Sequence, residues 1–406
     1  MKKSLFAIAA VTAFAGAAQA QSSVTVYGIL DVGFSSTSSR GPSNGAQASG
    51  QAANTTQKVT NSQFGQSAQT SSRIGFRGTE DLGGGTSAFF TAEFGVQPQG
   101  TTWSPNNRQT FVGLQQKGIG KASIGTQYTA LWLNALNPTD PGQGNNVAGS
   151  VIRPVGSTTA QIDGAASTAV TILTTNSLYL ESVRMAGFRL AANYVQNAAD
   201  VTQRANGSAN AAYSTSVGGS NNFNGYSISA DYTWKKLLAT AGYSSFKQEQ
   251  NSALAFTWSS AFPGTPVTVN STNNTNDRQW YAGAVYDFGI LKGYLNYVNR
   301  KISNGLNSNQ FLSRTGQQLG VRGNWTPKIE SWASAGNGRI QQFGATEPTA
   351  SFTSWQLGSN YILSKRTNLY AIYGTSITSG VAGSSVVGAN GGGATSQYAL
   401  GLRHTF

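Results

Sequence analysis

Gln397-Tyr398-Ala399-Leu400-Gly401-Leu402-Arg403-His404-Thr405-Phe406 ends the chain. Tyr398, Leu400, Leu402, His404 and Phe406 share one parity, while Gln397, Ala399, Gly401, Arg403 and Thr405 share the other. Successive side chains of a β-strand point to opposite faces, so one face here suits lipid and its interfacial girdle and the other suits water. Such a two-faced strand is the repeating unit of a transmembrane barrel with a wet interior.

The same alternation appears at the other end of the chain. Val24, Val26, Leu30, Val32 and Phe34 oppose Thr25, Tyr27, Ile29 and Asp31; Ile74 and Phe76 oppose Ser71, Arg73, Gly75 and Arg77; Ala88, Phe90, Ala92 and Phe94 oppose Ser87, Phe89, Thr91 and Glu93. Charge falls on the parity opposite the apolar one, which points Arg73 and Glu93 inward. Arg108 shares parity with Val112 and Leu114, so an inward Arg108 requires a β-bulge.

Turn signals come in two alternating lengths. The short ones are Leu82–Gly85, Lys117–Gly120, Met185–Gly187, Lys235-Lys236, Phe288–Ile290, Thr326–Lys328 and Ser364–Arg366. The long ones, rich in Ser, Asn, Gly and Thr, cover 35–69, 95–107, 129–175, 198–222, 248–276, 302–314, 343–351 and 377–394. Together they separate sixteen strands. The expected fold is all-β: a transmembrane antiparallel β-barrel of 16 strands, with short periplasmic turns and long extracellular loops. Sixteen strands leave an aqueous channel, whereas eight would be nearly filled by side chains. A secreted sandwich or solenoid also has short strands and polar turns, but it does not predict the short-long alternation.

Met1-Lys2-Lys3, the apolar run Ser4–Gly16 and the small-x-small site Ala18-Gln19-Ala20 form the three parts of a secretory signal peptide. The run is too short to span a bilayer, which takes about 20 apolar residues as helix. Residues 1–20 are therefore expected to be the signal peptide and 21–406 a single barrel. With no Cys there is no disulfide or thiolate metal site. Charged residues make 10% of the chain and aromatics 11%, a balance suited to one surface in lipid and another in water. The net charge of +13 loses two units with Lys2 and Lys3. Secretion removes nucleic acid as a partner, and the remaining charge reads as a field that draws anions toward a pore.

Several blocks resemble the general trimeric porins of Gram-negative bacteria, specifically the β-proteobacterial type. They are Ser23–Asp31 (SVTVYGILD), Ser72–Gly85 (SRIGFRGTEDLGGG), Arg108–Leu114 (RQTFVGL), Ile124–Thr129 (IGTQYT), Leu363–Thr367 (LSKRT) and Gly401–Phe406 (GLRHTF). The resemblance implies an outer-membrane, multi-pass barrel, assembled as a homotrimer, that passes small hydrophilic solutes, anions among them, by diffusion. It further implies a third long loop folded into the lumen as a constriction, with Arg73, Arg77, Glu93 and Arg108 on the wall and Asp140, Arg153 and Asp163 in the loop. Phe406 resembles the terminal signal read by the outer-membrane assembly machinery. Outer-membrane lipid and lipopolysaccharide are the surrounding partners, and no cofactor is implied. The third loop departs from enterobacterial porins, reading Asn137-Pro138-Thr139-Asp140-Pro141-Gly142 where they carry a Pro-Glu-Phe-Gly type tip.

Enzymatic readings find little to work with. His404 is the single histidine and lies on the lipid-facing parity, so a girdle or subunit-contact role suits it better than general-base chemistry. Glu80 and Asp81 are adjacent and point to opposite faces, so they do not flank one bond. Gly118-Ile119-Gly120-Lys121 lacks the remaining spacing of a phosphate loop. Trp234, Trp325, Tyr361 and Phe406 fall near strand ends, as interfacial girdles require. Beside the channel reading stand two alternatives: a surface adhesin anchored by its barrel, and a soluble secreted binding module.

Overall fold

A computed structural model describes residues 23–42, 56–100, 105–153, 173–198, 222–249, 256–258, 267–269, 274–304, 308–309, 311–343, 349–379 and 393–406. The expected signal peptide 1–20 and Asp163 lie outside them.

The strands are β1 (Ser23–Pro42), β2 (Thr56–Gln66), β3 (Arg73–Gly83), β4 (Thr86–Gly95), β5 (Asn106–Gln116), β6 (Gly120–Tyr128), β7 (Leu173–Ser182), β8 (Phe188–Ala198), β9 (Asn222–Trp234) and β10 (Leu237–Glu249). They continue as β11 (Phe256–Trp258), β12 (Val267–Val269), β13 (Asn274–Asp287), β14 (Leu291–Asn304), β15 (Phe311–Thr326), β16 (Ile329–Phe343), β17 (Thr349–Ile362), β18 (Thr367–Thr378) and β19 (Gly393–Thr405). β11 and β12 pair only with each other, within the connection from β10 to β13. The others form one antiparallel sheet. Within it β3 pairs with the first half of β1, and β2 with the second half, so β2 and β3 share one position in the wall. The wall therefore has sixteen strand positions.

Pairing of β1 with β19, from Ile29↔Thr405 to Arg40↔Ala394, closes the sheet on itself. Two further bonds continue the seam, Gly28 N to Phe406 O at 3.0 Å and Phe406 N to Gly28 O at 3.1 Å. The Phe406 ring lies where a Cβ on Gly28 would stand, so the seam needs glycine there. Closure leaves the sheet no open edge, the condition for a strand-built wall to cross hydrocarbon.

Parity holds as the pattern requires. On β19 Leu400 is 52% exposed and Leu402 38%, while Ala399 on the other parity is 0%. Val24, Val26 and Leu30 of β1 are likewise exposed, and Asp31 is buried. Trp234, Trp325, Tyr361 and Phe406 are exposed at the short-turn end. Each of the seven short turns joins two strands where the sequence places it.

One expectation shifts. Residues 35–42 and 56–66, which the sequence pattern assigns to the first long loop, are strand. Apart from Val59 and Phe64 this part of the hairpin is polar on both faces, as in the side-chain bond between Ser36 and Ser62 (2.7 Å), so it carries no regular apolar alternation to mark it. An outward aromatic group of Phe34, Phe64 and Tyr398 marks its base, with ring centroids 5.7 and 6.1 Å apart.

Candidate functional site

The connection after β6 turns into the barrel. Leu131–Leu136 forms a short π-helix and Asn137–Thr139 a 3₁₀ turn, after which the chain runs on to Arg153. Polar side chains on the inner wall receive it along its length. Ala130 N donates to Asn193 Oδ1 (2.9 Å) on β8, Leu131 N to Ser227 Oγ (2.8 Å) on β9, and Asn134 Nδ2 to the Tyr179 hydroxyl (2.8 Å) on β7. The Thr139 and Tyr281 hydroxyls bond at 2.5 Å on β13. Arg322 Nη1 on β15 donates to Pro141 O (2.8 Å), and Val151 N donates to Gln318 Oε1 (2.7 Å). Ala148 N donates to Gln397 Oε1 (3.0 Å) on β19.

On β17, Gln356 holds the middle of the loop. Its amide nitrogen donates toward Asn145 Oδ1, Val147 O and Ala148 O, each at 3.0 Å, while its oxygen accepts from Asn145 Nδ2 at 2.6 Å. Backbone approaches closely here: the Ala148 carbonyl sits against Gly374, in space that any side chain would fill. Apolar loop residues find apolar wall residues, with Leu131, Trp132, Leu136 and Ile152 on Tyr281 and Val298, and Val147 on Trp332, Tyr370 and Ile372. The inward Tyr281, Val298, Trp332, Tyr370 and Ile372 are thus loop seats in a largely polar lumen.

With the loop seated on these strands, open space lies along the opposite wall. A cavity of about 450 Å³ runs over the inner faces of β3 to β7 beside Leu133, reaching Arg77, Lys121 and Tyr128. Arg73, Glu93 and Arg108 converge on this wall. Glu93 Oε1 accepts from Arg108 Nε at 2.7 Å, and Glu93 Oε2 lies 3.5 Å from Arg73 Nη1. The Tyr27 hydroxyl donates to the same carboxylate at 3.2 Å, and Arg108 Nη2 donates to the Tyr128 hydroxyl at 2.6 Å. Glu93 is 3% exposed, against 16% for Arg73 and 20% for Arg108, so the carboxylate lies beneath and the guanidiniums face the water. Arg77 stacks on Tyr27 with its guanidinium 5.3 Å from the ring centre.

Arg108 reaches this cluster by a bulge. β4 and β5 pair in register through Ala92↔Thr110 and resume at Phe94↔Asn107, so Arg108 and Gln109 together face Glu93. One extra residue reverses the parity and turns Arg108 inward.

Asp140 and Arg153 occupy a different place. They approach to 3.9 Å inside the loop, at 4% and 7% exposure. Asp140 accepts from Gly142 N (3.0 Å) and Gly144 N (2.8 Å), and Arg153 lies 4.8 Å over the Trp132 ring. The structure therefore brings Arg73, Glu93 and Arg108 together on the wall, sets Arg77 on the same wall nearer the short turn, and pairs Asp140 with Arg153 inside the loop.

Further charge groups, besides the Arg300–Asp277 pair at 2.6 Å, have partners that parity alone does not reveal. Lys121 and Arg189 flank Glu181 at 3.2 and 3.7 Å, and Arg189 also bonds Asp231 at 2.7 Å. Arg322 pairs with Glu330 at 2.6 Å, beneath the loop. The Lys117–Gly120 turn could have signalled Lys121, since it fixes the register of β6, but its partner Glu181 comes from a strand beyond the third long loop.

Comparisons agree with this geometry. A family model described as Gram-negative porin matches residues 7–380. An outer membrane porin protein of Bordetella pertussis is 27% identical over 92% of this chain and 94% of its own length. An anion-selective porin from Comamonas acidovorans superposes with a TM-score of 0.65 at 19% identity, over 95% of this chain and all of that one. The trimer form of OmpT, an outer membrane protein of Vibrio cholerae, gives a TM-score of 0.58 at 15% identity, over 95% and 99%. The closed sixteen-position wall, the polar lumen and the family match along most of its length place this chain among the Gram-negative porins, as an outer-membrane channel for passive diffusion.

Proposed function

We propose that the channel passes small anions in preference to cations. The observation that carries this reading is the Arg73–Glu93–Arg108 cluster, in which two guanidiniums share one buried carboxylate and present the surplus charge to the lumen. Arg77 lies four residues nearer the short turn, about 13 Å further along β3 at a strand's rise, and Lys121 lines the same cavity. An anion leaving the cluster meets cations again. The one described acid of the loop, Asp140, is turned to its own backbone N–H groups and to Arg153, which weakens any opposing field in the open space. Arg153 acts in this reading through the shape of the loop, and Asp163 as the remaining acid of that segment.

The channel works without a cofactor or a covalent step, as a homotrimer in contact with outer-membrane lipid and lipopolysaccharide; the trimeric form of a protein of like fold supports the assembly. Planar-bilayer recording of the refolded chain in a salt gradient tests the whole reading. Steps arriving in threes with an anion-selective reversal potential are expected. A cation-selective potential overturns the selectivity, and a folded barrel that never conducts overturns the channel.

Cleavage after Ala20 and recognition of Phe406 by the assembly machinery belong to the same proposal. Intact mass of the protein from outer membranes is expected to start at Gln21, and Phe406→Ala to reduce the assembled fraction severalfold. A chain retaining residues 1–20, or wild-type assembly of the variant, contradicts the respective half.

A further inference from the structure

The outward face of β13 to β17 can be read in rows, because cross-strand partners lie side by side. Leu295, Leu319, Ala335 and Trp355 form one row and suit lipid. The next row toward the long loops turns polar at Gln317 and Asn337, whose side chains bond at 3.0 Å. Beyond it Asn299 donates to Thr315 at 2.8 Å, with Arg339 beside Thr315. The row after that brings Arg278 directly opposite Lys301. Lys301 holds its ammonium 4.0 Å over the Phe311 ring. Among the described residues of these strands no Asp or Glu shares the outward parity: Asp277 turns inward to Arg300, Glu330 inward to Arg322, and Asp287, at the short-turn end of β13, has the parity of Asp277.

Depth identifies what such a patch faces. From Trp325, in the girdle at the short-turn end, to Thr315 in the row of Arg339 is ten residues. At the usual rise and a tilt of ~40° that is about 33 Å of strand and about 25 Å along the barrel axis, the height of an outer-membrane apolar band. The cations therefore stand where hydrocarbon gives way to headgroups. A groove of about 620 Å³ lies on this outer face, lined by Thr315, Gln317, Asn337, Arg339, Ser351 and Thr353. Its hydroxyls and amides suit sugar hydroxyls, and a guanidinium at its edge offers the paired donors that phosphate accepts. The apolar row directly below suits acyl chains.

We propose that this outer groove at Arg339, with Lys301 and Arg278 above it, binds the phosphorylated sugar headgroup of an outer-leaflet lipid. The proposal rests on the outer-membrane lipid contact proposed above and fixes where on the wall it is made.

The test uses the purified full-length barrel in detergent, with diphosphoryl lipid A as the probe and native mass spectrometry as the readout. The triple variant Arg278→Ser, Lys301→Ser, Arg339→Ser is expected to bind the probe roughly a hundredfold more weakly, about fivefold for each cation. Fully dephosphorylated lipid should bind wild type no better than the probe binds the variant. Equal binding by wild type and variant, or by the two lipids, overturns the proposal. Displacement of the probe by millimolar inorganic phosphate overturns the lipid as the source of the phosphate. All three positions lie outside the lumen, so channel steps and heat-modifiability are expected to stay at wild-type values. Their loss in the wild type itself would count against the membrane reading and leave the lipid comparison separate. Should the triple variant fail to fold, Arg339→Gln alone carries the test, with a fivefold loss expected and unchanged binding overturning the site.

Discussion

Changing Arg73 and Arg108 together to serine is expected to lower the chloride-over-potassium permeability ratio by roughly thirtyfold, since each of the two unit charges is worth about 1 kcal/mol to an ion ~4 Å away in water. The pair turns a site with one surplus positive charge into one with a bare Glu93 carboxylate. The reversal potential in a salt gradient should therefore move toward the cation side. Raising the salt should shrink the effect, because exposed charges are screened over about 10 Å at 0.1 M. Glu93→Gln supplies the opposite sign: it leaves both guanidiniums in place and should move the potential further toward anions. A double variant with the wild-type reversal potential would remove this cluster from the selectivity site.

Gln356→Leu should release the infolded loop. Leucine keeps the bulk of the side chain, so what changes is polar. Asn145, Val147 and Ala148 lose a shared partner in a place water does not reach, at a cost of about 1–3 kcal/mol for each buried group left unpaired. The loop then trades a single seated position for several. Larger, noisier channel steps are expected, with a lower temperature of heat modification. Steps of wild-type size and quietness would show that the other wall contacts hold the loop without Gln356.

How much of this was legible in the sequence follows from range. Short turns were readable because Gly84, Gly118 and Gly187 fix tight reversals locally, and strand faces because parity is local too. Arg73 and Glu93 were placed inward by parity. Arg108 was readable only as a contradiction, since Val112 and Leu114 share its parity, and the bulge opposite Glu93 resolves it. The polar hairpin of β1 and β2 escaped notice because strands wet on both faces have no apolar period. The seating of the loop was least legible. Asn145 and Gln356 are 211 residues apart, and nothing local in either announces the other. The inward Trp332, Tyr370 and Ile372 likewise look misplaced in a wet lumen until Val147 covers them.

The seam between β1 and β19 bears on how the molecule can fold at all. Its partners come from opposite ends of the chain, so ring closure carries nearly the largest loop-closure entropy this chain allows. Contacts of such long range form slowly. Until Phe406 has emerged, both terminal strands present unsatisfied edges, and an edge of that kind pairs readily with any other extended chain. Synthesis from the N-terminus therefore runs well ahead of structure: the first strand is made early and waits for the last one. The rate at which this protein reaches its native state is expected to be set by the meeting of its two ends, with the hairpins between them zipping comparatively fast.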